Sequence, residues 1–102
     1  MIGKSLASLL AGAVGSRGLS AIWLTPLLTV PAVIADLAKV RQPMLLAGGS
    51  ADPTWRLDAI PANPVLDVVE LAGVDHSLQV PGDPIASLEA RQQLTRSIIE
   101  WL

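Results

Sequence analysis

Three near-continuous apolar runs, each closed by glycine or proline, constrain the fold of this chain more than any other feature. They are LSAIWL at 19–24, MLLAGG at 44–49 and LDVVELAG at 66–73. Compact apolar runs of this length are typical of strands that are buried on both sides. Strands of that kind belong to parallel sheets with helices on both faces.

Helix-forming segments lie around and between these runs. LASLLAGAV at 6–14 is rich in alanine and leucine and is followed by GSRG, which favours a helix end. A second helix is predicted over 31–40, where proline occupies the first position. The segment 84–102 follows Asp83, a residue type that caps helices. We expect the apolar stripe of this last helix to comprise Ile85, Leu88, Leu94, Ile98 and Trp101.

This order of elements predicts an α/β fold, with about three parallel strands alternating with helices. Before the first helix stand only Met1 and Ile2 and a short turn, so no strand is predicted there. A chain of 102 residues forms one domain, 1–102. With 51% hydrophobic and 16% charged residues, it is rather apolar for a free-standing domain of this size. We therefore expect part of its surface to be covered.

Charge and residue counts exclude several classes of partner and site. A net charge of -2 with no run of Lys or Arg gives no attraction for nucleic acid or anionic lipid. The apolar stretch 19–40 contains two prolines and two charged residues, which argues against a membrane span. With one histidine and no cysteine, we expect neither a metal site nor a cofactor.

Three residues with nucleophilic, acidic and basic side chains fall at three turns of the predicted fold. Ser5 lies at the turn into the first helix, Asp52 follows MLLAGG, and His76 follows LDVVELAG. Catalytic groups of open parallel sheets gather at the carboxyl ends of the strands. The order Ser, Asp, His is the one expected for an acyl-transfer triad on this architecture.

The roles within such a triad follow from chemistry. A serine hydroxyl needs a base to take its proton, and His76 is the only histidine in the sequence. The imidazole in turn needs a carboxylate to fix its tautomer. Asp52 is placed best for this. Asp75 is adjacent to the histidine in an extended segment, Asp58 lies farther from a strand end, and Asp83 stands at the head of the last helix.

The sequence around Ser5 has the form small-x-Ser-x-small. Gly3 and Ala7 are small enough for the close approach of a strand and a helix around a strained serine. The backbone N–H of Leu6, at the helix start, would be one donor to an oxyanion.

Simpler interpretations of the same residues stay open. Ser5 and Asp52 can each cap a helix, and His76 can be an ordinary loop residue. The start MIGKSLAS also has the outline of a secretory signal peptide, which would remove Ser5. Against that interpretation, the segment holds one lysine and no clean cleavage site before Ser16. We therefore expect a cytoplasmic protein.

With these motifs, the chain resembles the carboxyl-terminal half of the α/β-hydrolase superfamily, and in particular its small dienelactone-hydrolase-like members. The resemblance is carried by GKSLA, AIWLTPLL, PMLLAGGSADPTW and VELAGVDHSLQVPGD. It implies Ser5 as nucleophile, Asp52 as acid, His76 as base and the Leu6 N–H as part of the oxyanion hole. It also implies a partial fold, in which the N-terminal half of the sheet and the other oxyanion donor are missing.

The resemblance predicts a serine hydrolase that cleaves ester, thioester or lactone bonds through an acyl-enzyme. Because one oxyanion donor typically contributes a factor of about 10²–10³ in turnover, we expect weak activity from this chain alone. The alternative is a non-catalytic remnant that acts as an interaction module. The expected partners are a small-molecule acyl substrate and, to cover the exposed strand edge, a second copy or a complementing N-terminal chain.

Overall fold

The computed structural model describes the backbone of residues 1–102 and all side chains except those of Leu6, Leu9 and Leu10. Four parallel strands form one sheet in the order β1-β2-β3-β4. The strands are β1 (Ile2–Lys4), β2 (Ala21–Leu24), β3 (Met44–Gly49) and β4 (Leu66–Leu71). The helices are α1 (Ala11–Ser16), α2 (Pro31–Lys39) and α3 (Pro84–Trp101), with 3₁₀ turns at Ser5–Leu10 and Leu57–Ala59. The predicted α/β architecture is confirmed.

The two faces of the sheet are covered by different helices. On one face, Trp23 and Leu46 pack with side chains of α1 and α2 in the larger hydrophobic cluster. On the other face, Ala47 and Leu71 pack against Leu94 of α3. Successive residues of a strand point to opposite faces, so Leu46 and Ala47 reach different clusters. This explains why all six residues of β3 are buried.

The structure differs from the sequence-based expectation at both ends of the chain. Ile2–Lys4 forms a fourth strand, in which Gly3 pairs with Trp23 of β2. Three residues are too few to produce a recognisable apolar run, so only the pairing partner reveals this strand. The segment after it begins as a 3₁₀ helix and becomes α-helical at Ala11.

The predicted stripe of α3 is wrong in its first turn. Leu94 is buried and Ile98 packs against the same cluster, but Ile85 and Leu88 are 72% and 61% exposed. The residues that face the sheet are spaced by three or four from Leu94, and the first two do not fall on that face. Within the described residues, no helix has the length and hydropathy of a membrane span.

Candidate active site

Ser5 occupies a tight bend directly after β1. Its φ is +51°, in the left-handed region that residues other than glycine rarely adopt. Gly3 makes the bend compatible with a packed interior, because a Cβ there would lie 2.4 Å from the Trp23 ring and 3.1 Å from the Ala7 Cβ. A strained serine between a strand and a helix start, flanked by small residues, has the geometry of a nucleophile elbow.

Ser8 stabilises the bend from the buried side. Its side chain is 1% exposed, and its hydroxyl donates to the Ser5 carbonyl at 2.7 Å. The same oxygen accepts the backbone N–H of Leu27 at 3.1 Å. No motif in the sequence points to this residue. The only signal for it was a polar residue within an apolar segment.

Asp52 lies in a turn that follows the glycines of β3. Its N–H donates to the Gly49 carbonyl, and its Oδ1 accepts the Thr54 N–H at 2.8 Å. Gly48 is needed because a Cβ there would lie 2.1 Å from the ring of Trp55, which is itself buried. Asp52 Oδ1 therefore closes a turn and does not cap a helix, since the next helical turn begins at Leu57, and Oδ2 is left for a different partner.

The loop after β3 is tied to the loop after β4. The N–H groups of Ser50 and Ala51 donate to the carbonyls of Leu71 and Val74, each at 3.0 Å. The Gly73 N–H donates to Ser50 Oγ at 2.7 Å. These bonds fix the distance between the carboxylate and the imidazole that follow them in the two loops.

The structure brings Ser5, His76 and Asp52 into one chain of hydrogen bonds. Ser5 Oγ lies 2.7 Å from His76 Nε2, and His76 Nδ1 lies 2.7 Å from Asp52 Oδ2. A carboxylate only accepts, so Nδ1 carries the proton and Nε2 accepts from the serine hydroxyl. The Asp52 side chain is fully buried, whereas the His76 side chain is 39% exposed. The imidazole is therefore accessible to a ligand from solvent, whereas its carboxylate partner is shielded from solvent.

Thr54 is a fourth member of this arrangement that the sequence analysis missed. Its hydroxyl donates to Asp52 Oδ1 at 2.8 Å and lies 3.1 Å from His76 Nδ1. With the hydroxyl proton on the carboxylate side, Thr54 Oγ1 also accepts part of the Nδ1–H bond. This threonine thus limits the orientation of both the Asp52 carboxylate and the His76 ring, which must stay aligned.

The other three aspartates considered as the acid make different contacts. Asp75 Oδ1 accepts the N–H groups of Ser77 and Gln79, which closes the turn that carries His76. Asp83 caps α3 by accepting the Ala86 N–H. The exposed Asp58 pairs with Arg56, whose hydrogen bond and then charge lower the pKa of that carboxyl. The serine and imidazole thus have Asp52 as their carboxylate neighbour.

Comparison with known proteins supports the fold. No protein-family model matches the sequence. No curated protein matches it either. Among solved structures, the esterase domain of a Rhodothermus marinus protein is similar, with a TM-score of 0.57 and 14% sequence identity. The match covers 84% of this chain and 53% of that one, so this chain spans about half the length of the esterase domain. At this identity, the likeness extends to the α/β fold.

Proposed function

We propose that this chain carries the triad of a serine hydrolase that cleaves ester, thioester or lactone bonds. The observation that carries the proposal is the pair of 2.7 Å contacts that link Ser5 Oγ to Asp52 through the His76 ring. The left-handed backbone of Ser5 supports it, because strain of this kind concentrates at functional positions.

In the proposed acylation step, Ser5 Oγ attacks the carbonyl carbon of the substrate. His76 Nε2 takes the hydroxyl proton as the new C–O bond forms, and Asp52 stabilises the imidazolium. The tetrahedral intermediate then collapses, and the bond to the alcohol or thiol breaks. The leaving group takes the proton from Nε2, which leaves an acyl group on Ser5.

In the proposed deacylation step, water replaces the leaving group. His76 Nε2 takes a proton from water as the water oxygen bonds to the acyl carbon. The tetrahedral intermediate then collapses, and the bond between that carbon and Ser5 Oγ breaks. Ser5 Oγ takes the proton back from Nε2, and the carboxylic acid leaves. The Leu6 N–H is the proposed donor to the oxyanion in both steps, since the first N–H groups of a helix have no acceptor within the helix. One donor gives a turnover lower by about 10²–10³ than two donors give.

The similar esterase domain also supports a hydrolase, although this chain matches 53% of it. We extend the proposal to the small dienelactone-hydrolase-like type on the strength of the motifs GGSADPTW and GVDHSL. The cytoplasmic location and the small acyl substrate stay predictions. So does the expectation that a second copy or a complementing chain covers part of the surface.

Hydrolysis of p-nitrophenyl butyrate by the purified chain tests this function. We expect slow turnover that Ser5→Ala and His76→Asn each reduce to the level of the buffer. The matched control is Ser16→Ala, because Ser16 is an exposed helical serine whose hydroxyl donates to the Ala13 carbonyl and not to an imidazole. Turnover in wild type that survives Ser5→Ala would contradict the proposal. A folded wild type without turnover would favour the non-catalytic alternative.

A further inference from the structure

The outer face of α3 carries a second stripe of large apolar side chains. Ile85, Leu88, Ile99 and Leu102 are 72%, 61%, 65% and 84% exposed. The stripe lies roughly 130° around the helix from the face that holds Leu94, at 100° per residue. The sheet therefore leaves this stripe uncovered over the whole length of the helix.

The spacing along this outer stripe is that of a helix–helix seam. Steps of three and four residues alternate through Ile85, Leu88, Gln92, Thr95, Ile99 and Leu102. An alternation of this kind keeps one face of a helix toward a partner helix in a coiled coil. The two central positions are polar, and the apolar positions stand at both ends.

We propose that two copies of this chain associate through their α3 helices in antiparallel orientation. The seam is then self-complementary, as a two-fold interface requires. Ile85 packs against Leu102 of the second copy, Leu88 against Ile99, and Gln92 meets Thr95. Each layer occurs twice, so both apolar ends are covered and the polar centres meet each other.

Charge complementarity selects the antiparallel orientation. Glu89 and Arg96 follow Leu88 and Thr95 on one flank of the seam, and Arg91 lies on the other flank. Antiparallel helices bring residues of the same flank together, so Glu89 lies beside Arg96 of the second copy at two symmetric places. Parallel helices would bring Arg91 beside Arg96 instead. The first arrangement attracts and the second repels.

The flanking charges are available for this contact. Glu89 and Arg96 are exposed, and neither forms an ion pair within the described residues. Arg91 already donates to the Leu78 carbonyl of its own chain at 3.4 Å. A shallow groove of about 400 Å³ between Leu88, Arg91, Gln92, Thr95 and Arg96 provides room for the side chains of a second helix.

The expected dimer is weak. A helix of 18 residues is about 27 Å long, and one such pair forms an interface at the low end of the size range for specific association. We expect a dissociation constant on the order of 100 µM.

Sedimentation equilibrium of the full chain between ~10 µM and ~1 mM tests the proposal. We expect a monomer–dimer equilibrium in which Arg96→Glu weakens association by about tenfold, because two attractive contacts become repulsive. The double variant Glu89→Arg with Arg96→Glu restores it. Arg17→Glu is the matched control, since it makes the same change in net charge at an exposed residue outside α3.

Ile99→Ala tests the apolar layers and should also weaken the dimer by tenfold or more. These side chains are exposed in the monomer, so circular dichroism should show an unchanged fold. Stronger association of Arg96→Glu would indicate parallel helices and would overturn the proposal. A wild type that stays monomeric to ~1 mM would overturn it as well. So would a dimer whose dissociation constant is unchanged in Arg96→Glu and Ile99→Ala.

Discussion

At the scale of single residues, two hydroxyl groups outside the candidate triad support it through hydrogen bonds. Ser8 fixes the backbone of Ser5 from the buried side, and Thr54 joins the carboxylate of Asp52 to the ring of His76. Each has one partner within three residues and a second partner about twenty residues away, which is Leu27 for Ser8 and His76 for Thr54. Their roles depend on contacts that only the folded chain creates, which is why motif spacing pointed to the triad but not to its supports.

Thr54→Val should lower turnover while leaving the fold intact. Valine has nearly the same shape, and the Thr54 N–H still donates to Asp52, but the hydroxyl bond to Oδ1 is lost. The loss of one hydrogen bond to a charged group corresponds to a kcat lower by about tenfold. Measurement of kcat and KM on p-nitrophenyl butyrate should show the change in kcat, with KM little altered.

The conservative variant Thr54→Ser provides the control. It keeps the hydroxyl and should retain most of the wild-type kcat. Equal losses in the valine and serine variants would show that packing of the methyl group matters and that the hydroxyl bond does not.

Ser8→Ala should destabilise the folded state by about 1–3 kcal/mol. It removes the bond to the Ser5 carbonyl and leaves the partly buried N–H of Leu27 without its acceptor. Urea unfolding followed by tryptophan fluorescence measures the free energy of unfolding. Ser16→Ala, which removes an exposed hydroxyl, should change it by less than about 0.5 kcal/mol. Similar effects of the two substitutions would argue against this role of Ser8.

At the scale of elements, the loops after β3 and β4 behave as one unit because their backbones touch. A Cβ on Gly49 would lie 2.0 Å from the carbonyl oxygen of Val74, two residues before His76. Gly49 therefore serves the close approach of the acid loop and the histidine loop. The apolar run that ends in glycines predicted strand β3. The close contact with Val74, in the loop after β4, explains why Gly49 is a glycine.

Gly49→Ala should lower both stability and turnover. The new methyl group meets backbone atoms, which can move only with the loop that carries His76, and overpacking of this kind typically costs about 1–3 kcal/mol. Urea unfolding and the kcat on p-nitrophenyl butyrate measure the two effects. A variant with wild-type values of both would contradict the close approach of the two loops.

Gly12→Ala is the matched control for this substitution. A Cβ at Gly12 meets the Asp36 carboxylate, the end of a side chain that can turn away, and alanine favours the helix. We expect a free energy of unfolding equal to that of wild type or higher by less than about 1 kcal/mol.

At the scale of the whole molecule, the alternation of apolar runs and helices was enough to predict a parallel α/β sheet. The parallel order then predicts that residues after the strands meet at one edge, and Ser5, Asp52 and His76, which follow β1, β3 and β4, do meet there. Sequence alone did not find β1, because three residues acquire a strand conformation only by pairing with β2. Nor did it orient the first turn of α3, since periodicity shows that a stripe exists but not which of two stripes faces the sheet.

Labelling with a fluorophosphonate probe tests the central claim, that His76 activates Ser5 as a nucleophile. The probe forms a phosphonate ester with an activated serine and releases fluoride, and peptide mass spectrometry locates the added mass. We predict a single label on Ser5 that disappears in Ser5→Ala and forms at least ~100-fold more slowly in His76→Asn. A folded wild type without label, or a label on Ser5 that forms equally fast without the imidazole, would contradict the account.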